Sequence, residues 1–487
     1  MRRPASRLLH LLTLTTLLAG AGIISMQRKF PVLGADIGWH LKTGDWIVQH
    51  HAFPHTGIFS GTAATRPWAA YSWGYEVLLS RSYAGFGLVG VALFGTALTL
   101  LVVFSIFWMA QRLSGKFWLA CVLTILTCYS FLLLRIVPRP VFFSIALFCV
   151  VLERLLEAQR SGRVQTLYWL PVVFLVWANL HIQFIYGLAV LGLLLAINLA
   201  QELAERARVV PGYIAPRRLP SASLAIVFVL CVLATLVGPY SYHLYGVIFR
   251  YSEARFTYRM VQELQPFRLR FYGNYVQVLL AAAAFAAVGF QRKLDLFKLW
   301  LLLIATALAF RTMRDAWFQC TVAAACLAEV ARAHAAAEAR ESPLQLAGVF
   351  SAVGLLLLLA ARPIGFSQEG LQRAIAAMYP VDAVHYLQQN AAPGPLWNIF
   401  DWGGFLAWYL PQYPVGIDPR TDLYGDEMLQ RFDQTENGDP SYRSDPYLNE
   451  AGVVMLRPRD RLAPLLEQDP RFRRVYEDKI AAVFVRR

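Results

Sequence analysis

The sequence predicts a polytopic α-helical membrane protein of about eleven transmembrane helices with a small C-terminal α/β domain. Three observations carry that expectation. Of 487 residues, 57% are hydrophobic and only 16% charged, against roughly 45–50% and about 25% in soluble globular chains. Apolar runs of about 20 residues, the length that crosses a ~30 Å hydrocarbon core, recur from the N-terminus to about position 361. The charge also divides unevenly: residues 1–362 hold 32 basic and 14 acidic side chains, and residues 363–487 hold 13 and 17. Residues 1–362 therefore read as the membrane domain, and 363–487 as an extracytoplasmic domain of soluble composition.

The net charge of +14 raises nucleic acid as a partner. The Lys and Arg residues fall at span ends and between spans, where they set topology and meet lipid headgroups, which argues against it. Cys121, Cys128, Cys149, Cys231, Cys320 and Cys326 all lie inside apolar runs, with no CxxC pair and no His at zinc spacing. They read as small packing residues.

The first span runs from Leu8 to about Met26 after a basic start. A cleaved signal peptide is the competing reading; the length of the run and the many spans after it favour a retained helix, and either way residue 27 emerges outside. Further spans are expected near 84–110, 117–134, 138–157, 166–179, 183–201, 221–238, 273–290, 297–310, 315–331 and 345–361. Each inner loop then carries Lys or Arg (Arg112 and Lys116; Arg154, Arg160 and Arg163; Arg206, Arg208, Arg217 and Arg218; Arg292, Lys293 and Lys298; Arg332 and Arg340), in agreement with the positive-inside rule. The outer loop at 239–272 breaks the pattern with Arg250, Arg255, Arg259, Arg268 and Arg270. Either these pair with anionic lipid or substrate, or a span is miscounted. No repeat of 20–50 residues is visible, and the halves lack the matching Gly/Pro-broken spans of an inverted-repeat transporter.

The tail reads as a helix over 370–389, then strands at 397–400, 415–418 and 452–456, and a final pair, 474–477 and 480–485, turning through Asp478-Lys479. After eleven spans it lies outside, with the first loop.

Of the acidic residues before position 363, this topology places Glu153, Glu157, Glu202, Glu205, Asp295, Glu329, Glu338 and Glu341 on the inner side. Asp36, Asp45, Glu76, Glu253, Glu263 and Asp315 remain outside or at the outer rim. Asp36 follows the first span closely, in LGADIGWHLKTGDW. It reads either as an ionisable group held at the membrane surface for chemistry or as a cap for the next helix. The first outer loop, 27–83, also holds Trp39, His40, Trp46, the segment HHAFPH at 50–55, Arg66-Pro67-Trp68, and Trp73 with Glu76. Its aromatics suit a segment in the headgroup region. His50, His51 and His55 lack acidic partners and helical spacing, and read as solvated loop rather than a zinc site.

An aspartate just after the first membrane helix, a basic-Pro-aromatic element and a Trp-x-x-Glu resemble the GT-C superfamily of membrane glycosyltransferases, and within it the bacterial protein-mannosyltransferase and aminoarabinose-transferase branch. The resemblance covers most of the chain as architecture and short motifs as residues. It implies a polyprenyl-phosphate sugar donor and transfer, inverting, at the outer face to a lipid, glycan or protein acceptor. Asp36 corresponds to the family's first-loop acid, the general base. Arg66-Pro67-Trp68 resembles the Lys-Pro-Pro element, with Arg66 facing the donor phosphate. The acid is a lone Asp rather than the pair of some relatives, which leaves metal dependence open: a divalent metal is possible but not predicted, and no cofactor is assigned.

Such chemistry needs a base near the acceptor hydroxyl and cations on the departing phosphate, and Arg offers phosphate a bidentate fork. Arg135 and Arg139, in LRIVPRP, and Arg311 and Arg314, in FRTMRDAWF, sit at the outer rim. Each pair either snorkels to headgroups or binds donor. Together with His40, Arg66, Glu76 and His181 they form the candidate substrate-binding set. In the turn LVWANLHIQF, Asn179 reads as satisfying helix ends and His181 as lining the cavity. Glu263 and Gln265 can reach the same cavity. In the tail, WNIFDWGGFLAWYL distantly resembles the Trp-Trp-Asp region of oligosaccharyltransferase catalytic subunits, its Gly pair allowing close backbone approach. Asp418, Arg420 and Asp422 then read either as a ligand site at a strand end or as a salt-bridged turn.

Two rival functions stay open: a lipid-linked-sugar flippase, which predicts ionisable groups deep in several spans, and a non-catalytic scaffold of an envelope-polysaccharide system. The expected location is a bacterial inner membrane, with the C-terminal domain on the periplasmic side.

Overall fold

The structure is a computed structural model that describes residues 4–27, 32, 34–131, 137, 139–333, 348, 351–354 and 366–487. Arg135 lies outside the described residues, as does the expected span 345–361 apart from 348 and 351–354.

In chain order the helices are α1 (Pro4–Gln27), α2 (Ile37–His50), α3 (Trp73–Ser114), α4 (Phe117–Phe131), α5 (Val141–Ser161), α6 (Leu170–Leu180), α7 (Phe184–Arg206) and α8 (Ser221–Thr235). Then come α9 (His243–Glu253), α10 (Arg255–Met260), α11 (Tyr272–Gly289), α12 (Leu296–Arg311) and α13 (Ala316–Ala333). The tail holds α14 (Gln368–Ala376), α15 (Val381–Gln389), β1 (Leu396–Asn398), α16 (Gly403–Tyr409), α17 (Thr421–Glu436) and α18 (Pro446–Glu450). It closes with β2 (Val453–Leu456), α19 (Leu462–Gln468), β3 (Phe472–Glu477) and β4 (Ala482–Arg486). The chain groups into two compact units: Met1–Arg28 with Gly95–Ser241 and Glu263–Ile364, and Lys29–Phe94 with Tyr242–Gln262 and Gly365–Arg487.

The first, helical unit contains an apolar helix for each span expected up to residue 331. Its helices are apolar on exposed and buried faces alike: Val122, Ile125, Val172, Ile226, Val229 and Leu279 are exposed, while Leu123, Leu224 and Leu280 are buried. That all-round pattern belongs to helices with lipid outside and packing inside. Among the described residues, Arg7–Gln27, Trp73–Ser114, Phe184–Arg206 and Tyr272–Gly289 are long and apolar enough to cross a membrane, and Phe117–Phe131, Val164–Leu180 and Ser221–Thr235 are shorter apolar helices. All six cysteines are buried free thiols, as packing residues should be. Charges gather at the helix ends: Glu153 of α5 accepts Arg112 of α3 at 3.3 Å, and Lys298 of α12 pairs with Asp295 at 3.1 Å and Glu329 of α13 at 2.5 Å.

The second, mixed unit is built on a four-stranded sheet of order β1-β2-β4-β3, with β1 parallel to β2 and the other neighbours antiparallel. Central β2 and the first four residues of β4 are continuous apolar, buried runs, the signature of strands covered on both faces. Edge strand β3 exposes Arg473 and Arg474, which blunts that edge. Trp397 of β1 stacks on Phe432 of α17 with ring centroids 5.7 Å apart. The expected helix over 370–389 breaks at Pro380 into α14 and α15, since proline cannot continue a helical ladder. The expected strand 415–418 makes only isolated bridges from Val415 to Ser60 and Leu396. Asn398 explains this: its side chain accepts Gly416 N–H at 2.8 Å and donates to the Ile417 carbonyl at 2.8 Å, taking the place of a ladder. Helix α3 bends at Gly87 (φ 60°, ψ −143°), a conformation that glycine adopts freely.

Candidate active site

In the mixed unit, α2 and α16 cross almost backbone to backbone. A Cβ on Gly38 would lie 1.9 Å from the Gly404 carbonyl oxygen, and one on Gly404 would lie 2.2 Å from that of Ala35. The glycine pair in WNIFDWGGFLAWYL thus serves the close approach its sequence suggested, and the neighbour it admits is the turn that carries Asp36. Asp36 stands at the N-cap position of α2 with φ −81° and ψ −23°, and its side chain makes no capping hydrogen bond. The Trp39 indole donates to Asp36 Oδ1 in a long contact of 3.4 Å. The carboxylate is half-buried at the helix start, with no side-chain cap bond to that helix.

One turn further along α2, His40 is buried with its Nδ1 3.1 Å from Oε1 of the buried Glu76. Its ring lies against Trp39 at 3.6 Å and edge-on to Tyr75 at 5.1 Å. The other oxygen of Glu76, Oε2, is buried with no hydrogen-bond partner among the described residues. Arg420 acts on Glu76 electrostatically.

Arg420 is itself fully buried. Its Nε donates to Asp418 Oδ1 at 2.9 Å and its Nη2 to Asp418 Oδ2 at 2.6 Å, while the Tyr424 hydroxyl donates to the same Oδ2 at 2.8 Å. The guanidinium stacks on Trp68 at 4.7 Å and reaches Phe59 at 5.9 Å, so the first outer loop walls this ion pair. Its Nη1 is buried with no partner among the described residues. Burial pushes the Tyr424 phenol well above its usual range. Burial also raises the Asp422 carboxyl to about 6, against the pull of Arg420. Of the two readings of Asp418-Pro-Arg420, the salt-bridged turn is what forms. Arg66 is exposed and donates from one guanidinium nitrogen to the Tyr424 carbonyl at 2.6 Å, so the first loop and α17 share it. Asp401 is exposed and pairs with Arg457 at 2.7 Å.

Asp426 of α17 anchors the arginine-rich loop by accepting Phe256 N–H at 2.6 Å and Thr257 N–H at 3.0 Å at the start of α10. Burial favours its neutral form, but these donors win and hold the carboxyl below its usual range.

In the helical unit, Arg139 and Arg314 converge on one carboxylate. Glu263 pairs with Arg139 through Oε2, and its Oε1 accepts Arg314 Nε at 3.0 Å and Nη2 at 2.5 Å. Arg311, the last residue of α12, is exposed. The turn between Arg311 and α13 is braced by Asp315, which is buried and accepts Tyr186 at 2.5 Å and Thr312 at 2.8 Å. His181 follows α6 with Nδ1 2.8 Å from the Ser144 hydroxyl, which in turn accepts the Trp177 indole at 2.7 Å. Asn179 ties the same turn to the Leu175 and Val237 carbonyls at 2.8 Å each, a structural use.

The mixed unit thus links Asp36 to Trp39, Trp39 to His40 and His40 to Glu76, and separately ties Arg66 to Tyr424, while the helical unit gathers Arg139 and Arg314 on Glu263. Sequence reasoning missed Tyr424, whose hydroxyl partner Asp418 is six residues away, and Tyr186, whose partner Asp315 lies 129 residues along the chain and leaves no local pattern. No group of three or more His, Cys, Asp or Glu is placed for a metal ion among the described residues.

The fold is that of the GT-C glycosyltransferases. The crystal structure of apo ArnT, an aminoarabinose transferase from Cupriavidus metallidurans, matches with a TM-score of 0.52 over 96% of this chain and 97% of that chain, at 14% identity. The apo oligosaccharyltransferase of Archaeoglobus fulgidus matches with a TM-score of 0.52 over 92% of this chain and 69% of that one, at 11% identity. ArnT bound to undecaprenyl phosphate gives 0.49 at 15% identity, over 96% and 97%. No protein-family model matches the sequence, and no curated protein does.

Proposed function

We propose that this chain is an integral membrane glycosyltransferase that moves a sugar from a polyprenyl-phosphate donor to a hydroxyl of a lipid, glycan or protein acceptor at the outer face of the membrane. The observation that carries the reading is a half-buried first-loop carboxylate, Asp36, placed at a helix start without capping it, in a chain with the GT-C fold. The acceptor oxygen attacks the anomeric carbon, the carbon–oxygen bond to phosphate breaks with inversion, Asp36 takes the hydroxyl proton, and polyprenyl phosphate departs. His40 and Glu76, substrate-binding candidates by their sequence positions, are buried against each other; in this reading they position α2 and the acid it carries. Arg66, Arg135, Arg139, Arg311 and Arg314 are proposed to hold phosphate, and His181 to line the substrate cavity. Glu263 holds two guanidinium groups side by side, the spacing a phosphate can use in its place. The membrane is proposed to be a bacterial inner membrane, with residues 363–487 on the periplasmic side.

The test is to incubate the purified protein in nanodiscs with a panel of polyprenyl-phosphate sugars and acceptors, with and without divalent cations, and to weigh the products by mass spectrometry. Asp36→Asn is expected to cut transfer by about 10²–10⁴-fold while the melting temperature holds. Undiminished transfer by that variant would sink the base assignment. Movement of labelled polyprenyl-linked sugar across liposomes without product would instead make the protein a flippase.

A further inference from the structure

A second set of cations lies at the other end of the helical unit. Arg139 precedes α5 and Arg160 stands near its end, and 21 residues of helix span about 30 Å. There a cavity of about 210 Å³ opens between the ends of α5 and α7 and the starts of α8 and α12. Arg160, Arg217, Arg218, Lys293 and Lys298 line it, against the carboxylates Asp295 and Glu329. Three of these cations already have carboxylate partners: Lys298 pairs with Asp295 and Glu329, Arg217 with Glu202 and Glu205, and Arg160 with Glu157. Arg218 and Lys293 form no ion pair among the described residues, although Arg218 Nη1 donates to the Arg160 carbonyl at 2.6 Å. Arg160 Nη1 is buried with no partner among the described residues.

The rim of this cavity is built. The loops before α8 and before α12 form a parallel bridge, Ile214 to Leu294, with Ala215 N–H donating to the Leu294 carbonyl at 2.9 Å and Leu294 N–H to that of Tyr213 at 2.8 Å. Asn198 and Gln201 of α7 hold the first loop through the Leu219 and Ala215 carbonyls at 3.0 Å each. The cations are therefore held together without a ligand between them. The same loops expose large apolar side chains: Phe290 is 89% exposed, Val209 66% and Tyr213 64%. In water such exposure is unfavourable; at the headgroup level these residues become interfacial anchors.

We propose that this cavity binds the phosphate headgroup of an anionic membrane lipid, with Arg218 and Lys293 as its principal cations and Tyr213 and Phe290 seated in the lipid beside it. The lipid source follows from those anchors, which put the mouth of the cavity in the bilayer interface rather than in free solution. The basic loops mark this face as cytoplasmic by the positive-inside rule, where anionic headgroups attract clustered Lys and Arg. The site stands apart from the transferase reading, and its test reads binding alone.

The delipidated full-length protein is titrated with phosphatidylglycerol, phosphatidylcholine and inorganic phosphate and followed by native mass spectrometry. Phosphatidylglycerol is expected to bind at least about tenfold more tightly than phosphatidylcholine. Arg218→Ala with Lys293→Ala is expected to weaken phosphatidylglycerol by about tenfold or more, each cation near an anionic surface contributing about fivefold, and to leave phosphatidylcholine unchanged. The pair Arg218→Lys and Lys293→Arg, which keeps both charges, should bind within about threefold of the parent. Should the double variant fold poorly, Lys293→Ala alone changes an exposed side chain and should still cost about fivefold. Equal affinity for the two lipids, no loss in the alanine variants, or displacement of phosphatidylglycerol by millimolar inorganic phosphate would each overturn the proposal, the last in favour of a site for free phosphate.

Discussion

Two clusters of ionisable groups, one in each unit, are held in opposite ways. Arg420 is enclosed, with one carboxylate, one phenol and two aromatic faces around it. Arg139 and Arg314 are about a third exposed and both pair with Glu263, itself partly open. A guanidinium walled in by aromatics has its geometry set for good and suits a structural pin. One that shares an accessible carboxylate can exchange that carboxylate for a phosphate at little cost. Burial therefore sorts the arginines more sharply than charge does.

The largest test of that contrast compares Arg420→Met with Arg139→Ala. Removing one member of a buried pair leaves an uncompensated charge and costs about 3–5 kcal/mol, whereas a partly exposed pair is worth about 0–1 kcal/mol. Denaturant unfolding of the purified proteins should show the first variant strongly destabilised and the second nearly unchanged, with the Arg139 variant raising KM for the donor. Similar unfolding free energies would erase the distinction. Next in size is Gly38→Ala. Its new methyl meets a main-chain carbonyl rather than a pliable side chain, so α2 and α16 must part. Overpacking of this kind costs about 1–3 kcal/mol, and because Asp36 opens α2, transfer should fall along with the melting temperature.

The helices were the most legible part of the sequence, because a continuous apolar run allows little else in lipid. The position of Asp36 at the start of a helix was legible from its place close behind the first span, but the lack of a side-chain cap bond was not, since the same residue type serves both uses. His40 and Glu76 lie 36 positions apart and carry no mark of their pairing. The segment 415–418 read as a strand because its apolar pattern fits one. One buried asparagine 18 residues upstream claims its hydrogen bonds instead. What pattern cannot convey is which distant side chain satisfies a polar group, and the Arg139–Glu263–Arg314 cluster is made of such choices, whereas Arg420 finds Asp418 two residues away.

Glu263→Gln sharpens the contrast from the other side. The amide keeps the shape and one acceptor but removes the negative charge between Arg139 and Arg314. If that carboxylate competes with the donor phosphate, the variant should bind polyprenyl phosphate several-fold more tightly in a titration, with an unfolding free energy within about 1 kcal/mol of the parent. Weaker binding would mean that Glu263 organises the arginines more than it competes with the ligand.

A further test lies in the pH dependence of the enclosed cluster. Burial lifts Asp422 from its ordinary 3.8 to about 6, so the folded protein holds this proton more tightly than the unfolded chain does. The stabilisation from protonated Asp422 is complete below about pH 4, falls as pH rises, and is gone once pH passes about 6. The slope from one such group cannot exceed about 1.4 kcal/mol per pH unit. Subtracting the unfolding free energy of Asp422→Asn from that of the parent at each pH isolates this contribution from other titrating groups. The difference should be most favourable to the parent near pH 4 and decline to a plateau above pH 6. A flat difference would place Asp422 in water rather than beside the Arg420 ion pair, and the enclosure that separates the two arginine clusters would then be incomplete.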